Sequence, residues 1–108
     1  MSSSIFNNIP PIEYAGPGNK EPLAFNWYDA KKKVYGKTME EHLRFAVCYW
    51  HSFSWPGNDI FGEGALPRPW LIKQHSHDNA LEKLNAAFEF FTRLGAPYFC
   101  FHDVDIAA

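Results

Sequence analysis

With 108 residues, 46% apolar and 18% aromatic, the chain has material for one small hydrophobic core, and it shows no internal repeat or low-complexity tract beyond Ser2-Ser3-Ser4. Ten Lys and Arg against twelve Asp and Glu leave a net charge of −2, which argues against a phosphate-binding surface. No stretch approaches the roughly 18 apolar residues needed to cross a bilayer, and the N-terminus lacks a basic region followed by an apolar one. A cytoplasmic protein with neither membrane nor nucleic acid as partner is therefore expected.

Residues 1–37 carry prolines at 10, 11, 17 and 22 and glycines at 16, 18 and 36, a density that predicts an extended arm packed on something else. Lys31-Lys32-Lys33, the one basic run, is shorter than the roughly five to eight residues of a nucleic-acid patch and reads as a solvated helix face or turn. A short helical turn is expected over residues 39–44. The apolar run Phe45-Ala46-Val47-Cys48-Tyr49-Trp50 then has strand length, with Trp50 at its end. Between residues 54 and 70, Pro56, Gly57, Gly62, Gly64, Pro67 and Pro69 predict a long loop. A helix follows, with Asp78 as its expected N-cap and an apolar stripe of Leu81, Leu84, Phe88, Phe91 and Leu94. Gly95 closes it in the left-handed conformation, and Pro97 prevents continuation.

A second apolar strand runs through Phe99-Cys100-Phe101. Strand, loop, helix, strand is a βαβ unit, so the two strands are expected to be parallel, with Trp50 and His102 at the same C-terminal edge. Cys48 and Cys100 sit within the two apolar runs and neither has a CxxC partner, which predicts two small buried hydrophobes and no disulfide scaffold. His75 and His77 form an HxH pair, but two ligands are too few for a closed metal site and solvent exposure is expected.

The second strand ends abruptly in His102, Asp103 and Asp105. If the strand continued, His102 and Asp105 would lie on opposite faces; if the backbone turns after His102, they can meet. Imidazole suits proton transfer near neutral pH, and a carboxylate on one ring nitrogen fixes the tautomer. The same spacing also occurs as a plain strand-end hydrogen bond or helix cap, and Trp50 could equally be a core tryptophan. The residues alone leave these alternatives open.

A set of motifs in one order goes further: Ile9-Pro10-Pro11-Ile12-Glu13-Tyr14, Pro22-Leu23-Ala24-Phe25, Gly36-Lys37-Thr38-Met39, His42-Leu43-Arg44-Phe45-Ala46-Val47-Cys48-Tyr49-Trp50-His51, Gly95-Ala96-Pro97-Tyr98 and Phe101-His102-Asp103-Val104-Asp105. From about Phe6 to its end the chain resembles xylose isomerases, which interconvert D-xylose and D-xylulose, in the longer-chain branch with an N-terminal arm. The resemblance implies an α/β fold, the TIM (β/α)8 barrel. Such a barrel needs typically about 250 residues, so it is incomplete in this chain. Residues 1–37 would be the N-terminal arm, and residues 38–108 the first strand, active-site loop, helix and second strand. The stop just past that strand, before an expected second helix, leads to the expectation of an N-terminal piece of a longer enzyme.

The resemblance also implies roles. His102 corresponds to the histidine that opens the sugar ring by proton transfer at the ring oxygen, and Asp105 to the carboxylate that orients and polarises it. Trp50 corresponds to a tryptophan lining the sugar pocket, and Phe61 to a loop phenylalanine reaching into the neighbouring subunit's site, within a homo-oligomer expected to be a tetramer. Two divalent cations (Mg, Mn or Co) are implied for the complete enzyme, with their ligands and the catalytic lysine on later strands. The 108 residues alone are thus expected to bind no catalytic metal and to be inactive. Asp103 is expected to give structural support, and His42 and His51 remain unassigned. The sequence departs from the family at Ile60, where proline is typical, and at Ala15, where glutamate is. Two other functions are carried beside metal-assisted aldose-ketose isomerisation. One is a non-enzymatic fragment that assembles with a larger isomerase chain; the other is a small aromatic sugar-binding module using Trp50, Trp55 and Trp70.

Overall fold

The computed structural model describes residues 4–64, 67–72 and 76–107. Two short strands, β1 (Lys33–Val34) and β2 (Lys37–Thr38), form an antiparallel hairpin whose two turn residues, Tyr35 and Gly36, both have positive φ, 52° and 82°. That is the geometry of a two-residue turn matched to strand twist. Lys31 and Lys32 lie in the turn before the hairpin and Lys33 in β1. All three are exposed, and Lys31 Nζ is 2.6 Å from Glu40 Oε1. Thr38 opens the single-turn helix α1 (Met39–His42), where Glu41 accepts hydrogen bonds from the Thr38 N–H and hydroxyl. His42 Nε2 lies 2.7 Å from the Val34 carbonyl oxygen, tying α1 to the hairpin.

Strand β3 (Ala46–Cys48) pairs in parallel with β4 (Tyr98–Cys100), with Ala46 opposite Tyr98, Val47 opposite Phe99 and Cys48 opposite Cys100. The expected βαβ pairing is therefore present. The first strand is shorter than the apolar run suggests, however, because Tyr49 takes helical angles (φ −61°, ψ −42°) and a π-helical turn follows over Trp50–Ser54. Trp50 opens that turn and does not end the strand. The returning loop satisfies carbonyls of the turn: Arg68 Nε donates to the Ser52 carbonyl at 2.8 Å, and Trp70 Nε1 to the Phe53 carbonyl at 2.6 Å.

A one-turn helix, α2 (Pro69–Ile72), precedes the long helix α3 (His77–Leu94). The N-cap of α3 is Ser76, whose hydroxyl accepts from the Asn79 N–H, and not Asp78, which lies in the first turn where its charge complements the helix dipole. Gly95 ends the helix at φ 80°, as expected for a left-handed cap. The buried face also differs from the predicted stripe. Ala86, Ala87 and Phe91 are buried, whereas Leu81 and Phe88 are 42% and 46% exposed. The alanine pair lets the helix backbone approach the turn that carries Tyr49 and Phe53, so the contact ridge rotates toward the small residues. Phe53, Trp70 and Phe91 complete the core, and Asn79 joins α2 to α3 by donating to the Trp70 carbonyl.

Strand β4 is not buried on both faces. Phe99 packs on Phe88 and Phe91 of α3, yet Tyr98, Phe99 and Phe101 all remain exposed. Residues 4–32 form no regular element beyond a bridge between Tyr14 and Phe25, and they fold back on the unit. Ser4 and the Phe6 N–H donate to Glu89 of α3, Phe6 packs on Phe90, and the Ile12 N–H takes the Arg93 carbonyl. Among the described residues no helix is long and apolar enough to cross a membrane.

Removing the Phe91 ring leaves a void between Phe53, Phe88 and Phe99. We expect Phe91→Ala to cost about 3–5 kcal/mol in urea unfolding. Leu81→Ala, predicted equally important by the apolar stripe, should cost less than about 1 kcal/mol.

Candidate functional site

The β3–β4 pairing carries both chains to one edge, and immediately beyond it the backbone turns. Helix α4 (Asp103–Ile106) begins at once, with His102 as its N-cap residue in extended conformation. Asp105 therefore lies back over His102, its Oδ2 accepting the His102 backbone N–H at 2.7 Å and standing 3.3 Å from His102 Nδ1. The Asp105 side chain is 6% exposed, while that of His102 is 65% exposed. A buried carboxylate thus holds one nitrogen of an accessible imidazole. In the tautomer that carries its proton on Nδ1, that proton is directed at Asp105 and Nε2 is the ring nitrogen on the exposed side.

Trp50 completes the group. Its ring centroid is 4.6 Å from that of His102 and 5.6 Å from that of His51, so the indole is flanked by two imidazoles. His102, Asp105 and Trp50, 52 and 55 positions apart across the βαβ unit, are brought together. Phe61 is not: it sits on a tight turn closed by Asp59, whose Oδ1 accepts the Phe61 N–H at 2.7 Å, and it is 90% exposed with no ring contact among the described residues. Asp103 is exposed and accepts the Val104 N–H at 2.8 Å, capping its own turn. His77 is exposed in the first turn of α3, and His75 lies outside the described residues.

Behind Asp105 lies a group that sequence reasoning did not single out. Tyr49 is fully buried, its hydroxyl has no hydrogen-bond partner among the described residues, and burial together with the nearby Asp105 charge pushes its phenol up to about 12. Lys83 of α3 places Nζ 5.7 Å from the Tyr49 ring centroid and 3.5 Å from Ser54 Oγ, which in turn donates to the Asp105 carbonyl at 3.4 Å. Burial lowers the Lys83 ammonium from its ordinary range, and the Asp105 charge opposes that shift. Lys83 gave no signal in the sequence because it reads as one more charge on an amphipathic helix.

Two sequence expectations are corrected here. Trp70 is a core residue with its indole N–H used internally, so it offers no stacking platform and the three-tryptophan sugar module loses a member. Cys48 and Cys100 are not buried: Cys48 is partly exposed and Cys100 exposed, because nothing among the described residues covers that face of the strands. The apolar cavity of about 310 Å3 bounded by Tyr28, Leu43, Phe45, Val47, Leu94 and Pro97 lies at the opposite, N-terminal end of the strands. Among the described residues no three His, Cys, Asp or Glu side chains gather where they could hold a metal ion.

Folding keeps Tyr49 protonated above its ordinary value of 10.0, so stability from this group is present below pH 10 and lost as pH rises toward about 12. We expect Tyr49→Phe to flatten stability over that window in denaturant titrations. Near neutral pH it should be neutral or stabilising by about 1 kcal/mol, since it removes a buried hydroxyl without a partner.

No protein-family model matches the chain. Among curated proteins it is 57% identical over 104 residues to xylose isomerases of Burkholderia multivorans and Burkholderia ambifaria, and 55% identical to that of Paraburkholderia phytofirmans. Each alignment covers 96% of this chain and 24% of the relative, so the chain spans about a quarter of the length of the proteins it matches. By sequence, therefore, the chain is similar to an N-terminal portion of these longer xylose isomerases.

Proposed function

We propose that the chain is the N-terminal part of a D-xylose isomerase, and that it supplies the ring-opening half of an aldose–ketose isomerisation. The observation that carries this reading is the grouping of His102, Asp105 and Trp50 at the C-terminal ends of two parallel strands, where α/β barrels build their sites. A cyclic aldose opens when a proton leaves the anomeric hydroxyl and another reaches the ring oxygen. His102 Nε2 moves that proton, Asp105 holds Nδ1 and stabilises the imidazolium while it exists, and Trp50 presents an apolar face to sugar C–H groups.

The later hydride shift between the first two carbons needs more than this chain. The two cations implied for the whole enzyme do not fit the residues here: the Asp105 carboxylate is committed to His102 and that of Asp103 to its own turn. No step of the mechanism is therefore assigned to a metal on this chain. The open faces of β3 and β4, with Phe45, Tyr98, Phe99 and Phe101 exposed, suit a chain that continues into further strands of a (β/α)8 barrel, with residues 1–37 as its arm. The same faces suit assembly of a separate fragment with a larger isomerase chain. In either case the active unit is an oligomer, a tetramer on this reading, with Phe61 as an interface residue. We place it in the cytoplasm.

The test uses a full-length isomerase that carries this segment. We expect His102→Asn to lower kcat/KM on D-xylose by about 10²–10⁴. On a short aldose that cannot cyclise, the loss should stay under about tenfold, because no ring has to be opened. An equal loss on both substrates would assign His102 to another step, and no loss on either would remove it from the reaction.

A further inference from the structure

Lysines on an amphipathic helix ordinarily carry the ammonium out to water. Lys83 lies on α3, which packs against α4, and it is half-buried. Its Nζ sits 5.7 Å from the Tyr49 ring centroid and 3.5 Å from Ser54 Oγ. Ser54, the last residue of the π-helical turn, donates to the Asp105 carbonyl at 3.4 Å, so one hydroxyl links the ammonium to the residue that holds His102. A carboxylate as buried as that of Asp105, 6% exposed, is costly to keep charged without a positive neighbour. His102 is such a neighbour only while it carries its extra proton, and it must be without that proton to act as a base. Tyr49 of the turn is uncharged below about pH 12, and His51 lies across the Trp50 ring. Arg68 is held at the Ser52 carbonyl, and Asp103 on the same turn as Asp105 adds a negative charge. From α3, Lys83 contributes a positive one.

We propose that Lys83 is a positioning residue for ring opening: its ammonium gives the Asp105 carboxylate a fixed positive neighbour from the α3 side, and through Ser54 it ties the π-helical turn to α4. This role rests on His102 being the group that opens the ring. A positive charge there makes the His102–Asp105 pair harder to protonate, whichever member takes the proton. The coupling is reciprocal, since burial lowers the Lys83 ammonium and the Asp105 charge raises it.

The test is the pH dependence of kcat/KM in a full-length isomerase that carries this segment, on D-xylose and on a short aldose that cannot cyclise. Lys83→Met keeps a long side chain beside Tyr49 and removes the charge; Lys83→Arg keeps the charge. On D-xylose we expect Lys83→Met to move the acid limb up by about 0.5 pH unit, a loss of roughly threefold below the midpoint, and Lys83→Arg to stay with the parent. A second neutral variant, Lys83→Gln, should match Lys83→Met. On the acyclic aldose none of the three should move the limb. An acid limb on D-xylose that stays in place in both neutral variants would overturn the proposal. So would a loss equal at every pH and on both substrates, because that is the mark of packing alone. His102→Asn on the same substrates separates this role from the one it serves. If that variant spares D-xylose, ring opening by His102 falls and Lys83 falls with it; if it costs D-xylose selectively while the neutral Lys83 variants leave the profile unchanged, only Lys83 loses its role.

Discussion

Everything at the candidate site depends on one pairing, the three-residue parallel ladder between β3 and β4. Its strands are joined by nearly fifty residues of turn, loop and helix, so the ladder closes a large loop whose entropy its own few hydrogen bonds do not offset. What holds it is the helix. Phe91 stacks on Phe99 of β4 at 5.0 Å and meets Phe53 of the turn after β3 edge-on at 5.8 Å, so one ring of α3 touches both sides of the ladder. Once the ladder is set, the two chain ends leave it at the same edge, and the meeting of Trp50 with His102 follows.

The geometry of His102 and Asp105 serves two purposes that need not compete. Asp105 accepting the His102 backbone N–H is a helix-capping contact, of the kind that ends strands in many proteins, and it fixes the turn. The same Oδ2 stands beside Nδ1, so the cap that shapes the backbone also orients the imidazole. Burial of the carboxylate behind an exposed ring gives this arrangement a direction, with Asp105 on the inner side of the imidazole and the ring itself at the surface. Tyr49 and Lys83 pack behind Asp105 and connect the site to the core of the βαβ unit.

Much of this was legible in the sequence for physical reasons. Gly95 and Pro97 mark the helix end because left-handed geometry and a missing N–H leave few alternatives, and apolar runs on either side of an amphipathic helix predict parallel strands. The start of that helix was misread because Ser76 and Asp78 are both good caps and only the backbone decides between them. The end of β3 was misread because Tyr49 and Trp50 are apolar in either conformation, and the turn after Cys48 carries no Gly or Pro to announce it. The hairpin at Tyr35-Gly36 was missed since tyrosine with positive φ is an uncommon choice there. The stripe held at Phe91 and Leu84 but failed at Leu81 and Phe88, because periodicity counts large residues, whereas packing favoured the alanines. Burial of the cysteines and of β4 was overestimated because an apolar strand reads as covered whether or not its cover lies within the same chain.

The account stands on the ladder delivering Trp50 to His102, and proton–proton contacts in solution report on that most directly. In NOE spectra of the chain with labelled tryptophan and histidine, we expect cross-peaks between the indole protons of Trp50 and the ring protons of His102, whose ring centroids are 4.6 Å apart. They should disappear in Trp50→Leu and survive in His51→Ala. A folded chain in which those cross-peaks are missing would contradict the account, because the two rings would then belong to separate surfaces.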